Sequence, residues 1–180
     1  FDSFLMGCTA VAILPEQMSR ERFDWLAEIG AEVIATPGCE SNVKEIYDKC
    51  WEIRKTRPDC VIFNQFDEFG NAVWHYYNTA AAVAEVFDAC AAPGAALAAF
   101  VSATGSAGTI AAGDALRLRH PALKVVASEA LQCPTLLQNG FGGHRIEGIG
   151  DKHVPWIHNV RNTDAVAAID DEDCMRLFRL

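Results

Sequence analysis

The chain has 180 residues, a formal net charge of −9, and 51% hydrophobic against 22% charged residues. That balance describes a folded, water-soluble chain with enough length for a sizeable core. It contains no apolar run able to span a bilayer and no basic cluster of the kind that nucleic acid or an anionic membrane requires. Seven scattered cysteines, Cys8, Cys39, Cys50, Cys60, Cys90, Cys133 and Cys174, form no C-x-x-C pair. They make a poor disulfide or zinc framework and point to a reducing cytoplasm. The chain opens at Phe1 without an initiator methionine or a signal-peptide pattern, and it closes on Cys174 to Leu180 in helical pattern without a stop signal. Further polypeptide is therefore expected on both sides.

In chain order, Ala10 to Leu14 reads as a buried strand ended by Pro15, followed by a helix from about Ser19 to Ile29. Phe23, Leu26, Ala27 and Gly30 give that helix one apolar face, and Gly30 ends it. Ala31 to Ala35 is a second strand, turned by Pro37-Gly38. Ser41 is placed to cap the next helix, whose buried stripe is Val43, Ile46, Tyr47, Cys50 and Ile53. Asp59 to Phe63 reads as a third strand, Trp74 to Cys90 as a long helix, and Ala95 to Ser102 as a strand. A helix from Thr109 to Arg119, a strand from Leu123 to Ser128 and a glycine-rich loop from Asn139 to Gly150 follow. Ala165 to Ile169 is a last strand before a final helix, with the acidic run Asp170 to Asp173 at its N-terminus, where the helix dipole favours it. Strands separated by helices imply an α/β fold with mainly parallel sheets. A domain change is expected near Asn71, because Phe66 to Val73 breaks the pattern.

The segment Thr104-Gly105-Ser106-Ala107-Gly108-Thr109 joins a strand to a helix through small residues. Unpaired N–H groups and partial positive charge at a helix start suit a phosphate, and the Ser106 and Thr109 hydroxyls add two donors. The alternative is a tight turn that binds nothing. The segment departs from the dinucleotide fingerprint at Ala107, and it lacks the Lys-Ser/Thr ending of a nucleotide P-loop.

Three stretches together carry a resemblance. The first is Leu14-Pro15-Glu16-Gln17-Met18-Ser19-Arg20-Glu21-Arg22, with Gly30-Ala31-Glu32 and Thr36-Pro37-Gly38. The second is Asn64-Gln65-Phe66-Asp67, with His75 and Thr79 downstream. The third runs from Gly105 to Ile110 through His120 to Val126 and Glu129 to His144-Arg145-Ile146-Glu147-Gly148-Ile149-Gly150 and Val154-Pro155. In order and spacing over nearly the whole chain, these resemble the cysteine synthase and cystathionine β-synthase family of fold-type II pyridoxal-phosphate enzymes, which are tryptophan synthase β-like in architecture.

The resemblance implies that residues 1–70 belong to the small mobile N-terminal domain and residues 71–180 to the large cofactor-binding domain. It places Gly105, Ser106, Ala107, Gly108 and Thr109 around the phosphate of pyridoxal 5'-phosphate, and Gln65, Phe66 and Gly148 beside the substrate, with the Gln65 amide facing its carboxylate. Ala107 stands where the family often has glycine, which a negative φ there would tolerate. Asn78-Thr79-Ala80-Ala81-Ala82, Glu68-Phe69-Gly70 and Glu147 also depart from the family pattern and bear on the choice of substrate. No catalytic residue is assigned within this stretch. Lys44, Lys49 and Lys55 fall on a polar helix face, Lys124 opens a strand and Lys152 lies in a loop, so the Schiff-base lysine is expected elsewhere in the protein.

The activity so implied is β-replacement on an activated serine- or cysteine-like amino acid, by a transferase of amino-acid biosynthesis acting as a cytoplasmic homodimer. A β-elimination lyase of desulfhydrase or dehydratase type, and a non-catalytic module that keeps only the phosphate loop, are the alternatives. His144, His153 and His158 near Asp151 lack helical metal-ligand spacing and read as solvated loop histidines, so no metal is expected. His75 reads as part of a half-buried helix face near the active-site mouth, and Trp25, Trp51, Trp74 and Trp156 as packing residues. Ser102, Ser106 and Ser128 sit in no Gly-x-Ser-x-Gly elbow.

Overall fold

Two apolar β-branched runs open the architecture. Strand β1 (Val11–Pro15) and strand β2 (Glu32–Thr36) pair in parallel in a computed structural model that describes residues 2–39 and 42–180. A short helix α1 (Asp2–Leu5) precedes them, and helix α2 (Arg20–Glu28) makes the crossover between them. Gly30, at φ 78°, ends α2 as expected, with its N–H bonded to Ala27 O at 3.0 Å. Helix α3 (Val43–Thr56) buries Val43 and Ile53, the two ends of the anticipated stripe. The cap expected at Ser41 lies outside the described residues. Pro15, in register with Thr36, is the last residue of β1 and ends the strand as anticipated; β1 lies at an edge of its two-stranded sheet, where a missing N–H is tolerated.

The chain divides into two compact units between Ile62 and Phe63. Asp59 to Phe63 is not a strand. Val61 and Phe63 are largely exposed, and among the described residues no strand offers that backbone a ladder.

In the second unit a helix begins earlier than its apolar pattern suggests. Helix α4 (Phe69–Trp74) runs through a π-helical segment (His75–Thr79) into helix α5 (Ala80–Cys90). The strand expected from Ala95 is shortened to β3 (Ala99–Ala103), because Pro93-Gly94 turns the chain and Ala95 N–H closes that turn on Ala92 O at 2.9 Å. Helix α6 (Ala111–Arg119) crosses to β4 (Lys124–Ala130), and a long connection containing the short helix α7 (Thr135–Gln138) leads to β5 (Ala165–Ile169) and helix α8 (Asp171–Leu177). The three strands form one parallel sheet in the order β3-β4-β5. The fold is thus parallel α/β, as the sequence pattern indicates.

The core sits between β4 and the α5/α6 pair. Val125 and Ala127, alternate residues on one face of β4, pack with Ala112 and Leu116 of α6 and with Ala80 and Ala84 of α5. A second cluster joins Ala72 of α4, Ala111 of α6 and Ile157, with Tyr76 against them. Asp164 fixes the start of β4, accepting from Val125 N–H at 2.8 Å and pairing with Arg117.

The acidic run Asp170 to Asp173 opens α8 as anticipated. The Asp170 side chain accepts from Glu172 N–H at 2.9 Å and from Gln132 Nε2 at 3.0 Å. Asp170→Ala is expected to cost the second unit about 1 kcal/mol in urea unfolding. The exposed Asp173→Ala should stay within about 0.5 kcal/mol of the parent protein.

Candidate functional site

The strand-to-helix turn after β3 is anchored at its start by Thr104. Its N–H donates to Ser128 O at 2.8 Å and its hydroxyl donates to the same oxygen at 3.2 Å. Thr104 O in turn accepts from Gly150 N–H at 3.2 Å, which brings the Gly148–Gly150 segment over the turn. A Cβ on Gly105 would stand 3.2 Å from Ile149 Cα and 3.3 Å from Gly148 O, so the two backbones pass at glycine distance. The turn enters α6 through a single tight turn, with Ala111 N–H donating to Gly108 O and Ala112 N–H to Thr109 O.

Ala107 corrects one expectation. Its φ is +63°, not negative, and the residue is almost fully buried. A left-handed residue between residues of negative φ curls successive N–H groups toward one point, which is the geometry of an anion-binding nest. Among the described residues no acceptor engages the N–H groups of Gly105, Ser106, Ala107, Gly108 or Thr109. N–H groups without a protein acceptor at a helix start are donors of the kind that an anion can satisfy. The cost of holding an alanine in this region is about 1–2 kcal/mol. Burial of its methyl group beside Ile110 offsets about 0.8 kcal/mol of that.

The structure brings the Gln65–Phe66 segment to this turn. Asn71, in the first turn of α4, donates from Nδ2 to Gln65 O at 2.9 Å and to Ser106 Oγ at 3.1 Å. The Gln65 side-chain amide is exposed and makes no hydrogen bond among the described residues, and Phe66 N–H is held by Asn64 Oδ1 at 3.1 Å. Sequence reasoning marked Asn71 only as a point of domain change. Its spacing of six residues from Gln65, at a helix start, is the signal that was available.

Other candidates are dispersed. His75 lies in the π segment with Nδ1 2.8 Å from Thr79 Oγ1. All four tryptophans are more than half exposed, so they are not the packing residues the sequence suggested; an apolar ring is buried only where a second layer covers it. His153 is exposed and His144 half-buried, but His158 is buried, contrary to its reading as a solvated histidine. Its Nε2 lies 3.0 Å from Thr163 Oγ1, its Nδ1 is buried without a partner, and burial holds its pKa below the usual histidine value against the opposing pull of Asp114. Among the described residues no three His, Cys, Asp or Glu side chains converge as metal ligands do.

A small cavity beside the turn is lined by Thr104, Gly105, Glu129, Thr135, Asp151 and His158. Glu129 is buried there, but both its oxygens are used, accepting from the N–H groups of Leu136 and Leu137 at 2.9 Å each. Asp151 differs. Oδ1 lies 3.1 Å from His153 Nδ1, while Oδ2 is buried without a partner. Burial raises its pKa from 3.8 to about 6, against the lowering effect of His153 and the N–H groups of His153 and Lys152, with Asp67 adding to the rise.

Residues 3–180 match the family described as pyridoxal-phosphate dependent enzyme. A probable cysteine synthase of Bacillus subtilis is 33% identical over 96% of this chain and 55% of its own length. Cysteine synthase B of Campylobacter jejuni is 31% identical over 94% of this chain and 55% of its own. The chain therefore spans about half the length of the relatives it matches. Among solved structures, a hydrogen sulfide-producing enzyme from Fusobacterium nucleatum superposes with a TM-score of 0.85 at 26% identity, covering 96% of this chain and 51% of that one. An O-acetylserine dependent cystathionine β-synthase from Helicobacter pylori gives 0.85 at 26% identity, over 98% and 56%.

The raised pKa of Asp151 fixes a sign for stability. An acid whose folded pKa exceeds its unfolded value costs stability as pH rises through the interval between them, here from about 4 to about 6. Asp151→Asn is expected to raise the urea midpoint at pH 7 and to leave it nearly unchanged at pH 2.8, where the acid is largely protonated in both states; urea titrations at the two values check this.

Proposed function

The chain belongs to the pyridoxal-phosphate dependent enzyme family, and on that premise we propose that the complete protein catalyses β-replacement on an activated serine- or cysteine-like amino acid, as a cysteine synthase does. The observation that carries the reading is the run of unengaged N–H groups from Gly105 to Thr109 around the left-handed Ala107. These five residues, with the hydroxyls of Ser106 and Thr109, hold the cofactor phosphate. When bound, pyridoxal phosphate supplies an electron sink for negative charge at the substrate α-carbon. The chain's own residues bind and orient. The Gln65 side-chain amide, with donors to spare, receives the substrate carboxylate. Phe66 packs beside the substrate, and Gly148, at φ 91°, leaves the site open where a side chain would project.

The Schiff-base lysine is assigned to a part of the protein outside this stretch. The lysines present are occupied otherwise or lie on the surface: Lys44 pairs with Asp48, Lys49 with Glu52 and Lys124 with Asp164, Lys55 is exposed, and Lys152 stands 4.9 Å over the Phe141 ring. Residues 1–70 are read as part of the smaller domain and residues 71–180 as part of the cofactor-binding domain. Seven free cysteines and an acidic balance support a reducing cytoplasmic setting, and a homodimer is the family's habit. A lyase that releases sulfide is the second reading, favoured by the superposition on a hydrogen sulfide-producing enzyme.

Two measurements test this. Sulfide consumption with an activated serine is expected to exceed sulfide or ammonia release from cysteine or serine by the complete protein; the reverse ratio makes it a lyase. Gly108→Asp is expected to abolish cofactor retention on gel filtration, since its side chain would enter the space of Asn71, 2.1 Å from the Cβ position, and its charge would repel the phosphate. Unchanged cofactor content in that variant would remove the turn from the phosphate site.

A further inference from the structure

Asn71 belongs to two segments at once. Its Nδ2 carries two N–H bonds, one directed at Gln65 O and one at Ser106 Oγ, 2.9 and 3.1 Å away. Gln65 O is a carbonyl and can only accept, so the chemistry of that contact fixes which end of the amide faces it. A serine hydroxyl that accepts from Asn71 still has its own proton to place, and among the described residues no acceptor takes it. That proton is left for the anion in the turn. Gly108 completes the arrangement: a Cβ there would lie 2.1 Å from Asn71 Oδ1, so any side chain at that position would have to push the Asn71 amide out of its place.

We propose that Asn71 is a positioning residue that ties the substrate segment to the phosphate turn, holding Ser106 as a donor to the cofactor phosphate and Gln65 in place for the substrate carboxylate. The inference rests on the reading above that the anion is the phosphate of pyridoxal phosphate. It adds a coupling: cofactor binding orders Ser106, Ser106 orders Asn71, and Asn71 orders the main chain that presents the Gln65 amide. The coupling is reciprocal, so substrate occupancy tightens the cofactor by the same factor.

The test uses the complete holoenzyme and pyridoxal phosphate itself as probe. Asn71→Ala is expected to weaken cofactor binding by about tenfold, the worth of one oriented hydrogen bond, and to raise the amino-acid KM by about as much while kcat falls less. Ser106→Ala is the discriminating background. There, Asn71→Ala should weaken the cofactor no further, while the rise in KM persists. Additive losses of cofactor affinity in the two variants, or an Asn71→Ala protein with the parental cofactor affinity and KM, would overturn the coupling. Should Asn71→Ala fail to fold, Asn71→Ser, which reaches at most one of the two partners, carries the same comparison. A parent protein that binds no pyridoxal phosphate would instead overturn the functional reading itself, before any variant is compared.

Discussion

A backbone N–H needs an acceptor or water, and the turn between β3 and α6 carries a run from Gly105 to Thr109 that has no protein acceptor among the described residues. Thr104 is drawn back onto Ser128, Gly150 crosses over Thr104, and Asn71 occupies the Ser106 hydroxyl from the side. Ala107 holds the curl at the expense of a left-handed backbone, and its methyl is locked into the same cluster that packs α6 on β4. The strain is thus supported by the core of the second unit.

The same end of the sheet gathers several acids and treats each differently. Glu129 caps the start of α7 with both oxygens. Asp171 accepts from the Arg145 N–H at 2.9 Å and pairs with its guanidinium, which hold its pKa below the ordinary carboxylate value. Both carboxyl groups have their oxygens taken up by structural hydrogen bonds. Asp151 alone of the three keeps a buried oxygen without a partner, and it is the acid whose charge the fold disfavours. A proton on Asp151 removes that burden and relaxes the repulsion it exerts toward Asp67. With a pKa near 6 the carboxyl is still largely ionised at pH 7, so this relief comes only as the pH falls below about 6.

Much of this was legible in the sequence, because the signals were local. The alternation of apolar runs and amphipathic stretches gave β1, β2, β4, β5 and the parallel arrangement, and small residues after β3 marked the turn. What escaped depended on partners distant in sequence. Asp59 to Phe63 has strand composition but lacks a neighbouring ladder. Ala107 is compatible with either sign of φ until the neighbouring turn is placed. Asn71 has no helical periodicity to announce it; its importance comes from Ser106, 35 residues away. The tryptophans show the converse failure, where residue type suggested burial that no second layer provides.

The π-helical segment from His75 to Thr79 has a consequence for chain length. A π turn accommodates one more residue than an α turn, so it shifts the angular phase of α4 relative to α5 by about 100°, the rotation of one helical residue. That shift lets Ala72 and Tyr76 face Ala111 while Ala80 and Ala84 face the cluster around Leu116. It also sets the direction in which Asn71 points. The helix therefore works as a vernier: its length in residues, counted across the π turn, is a variable that evolution can step by one. Losing a single residue would restore an unbroken α-helix and swing the amide away from Ser106, whereas almost any change of side chain on the exposed face would leave the alignment intact. The number of residues between Asn71 and Ala80, counted across the π turn, therefore matters to this alignment as well as the side chains do.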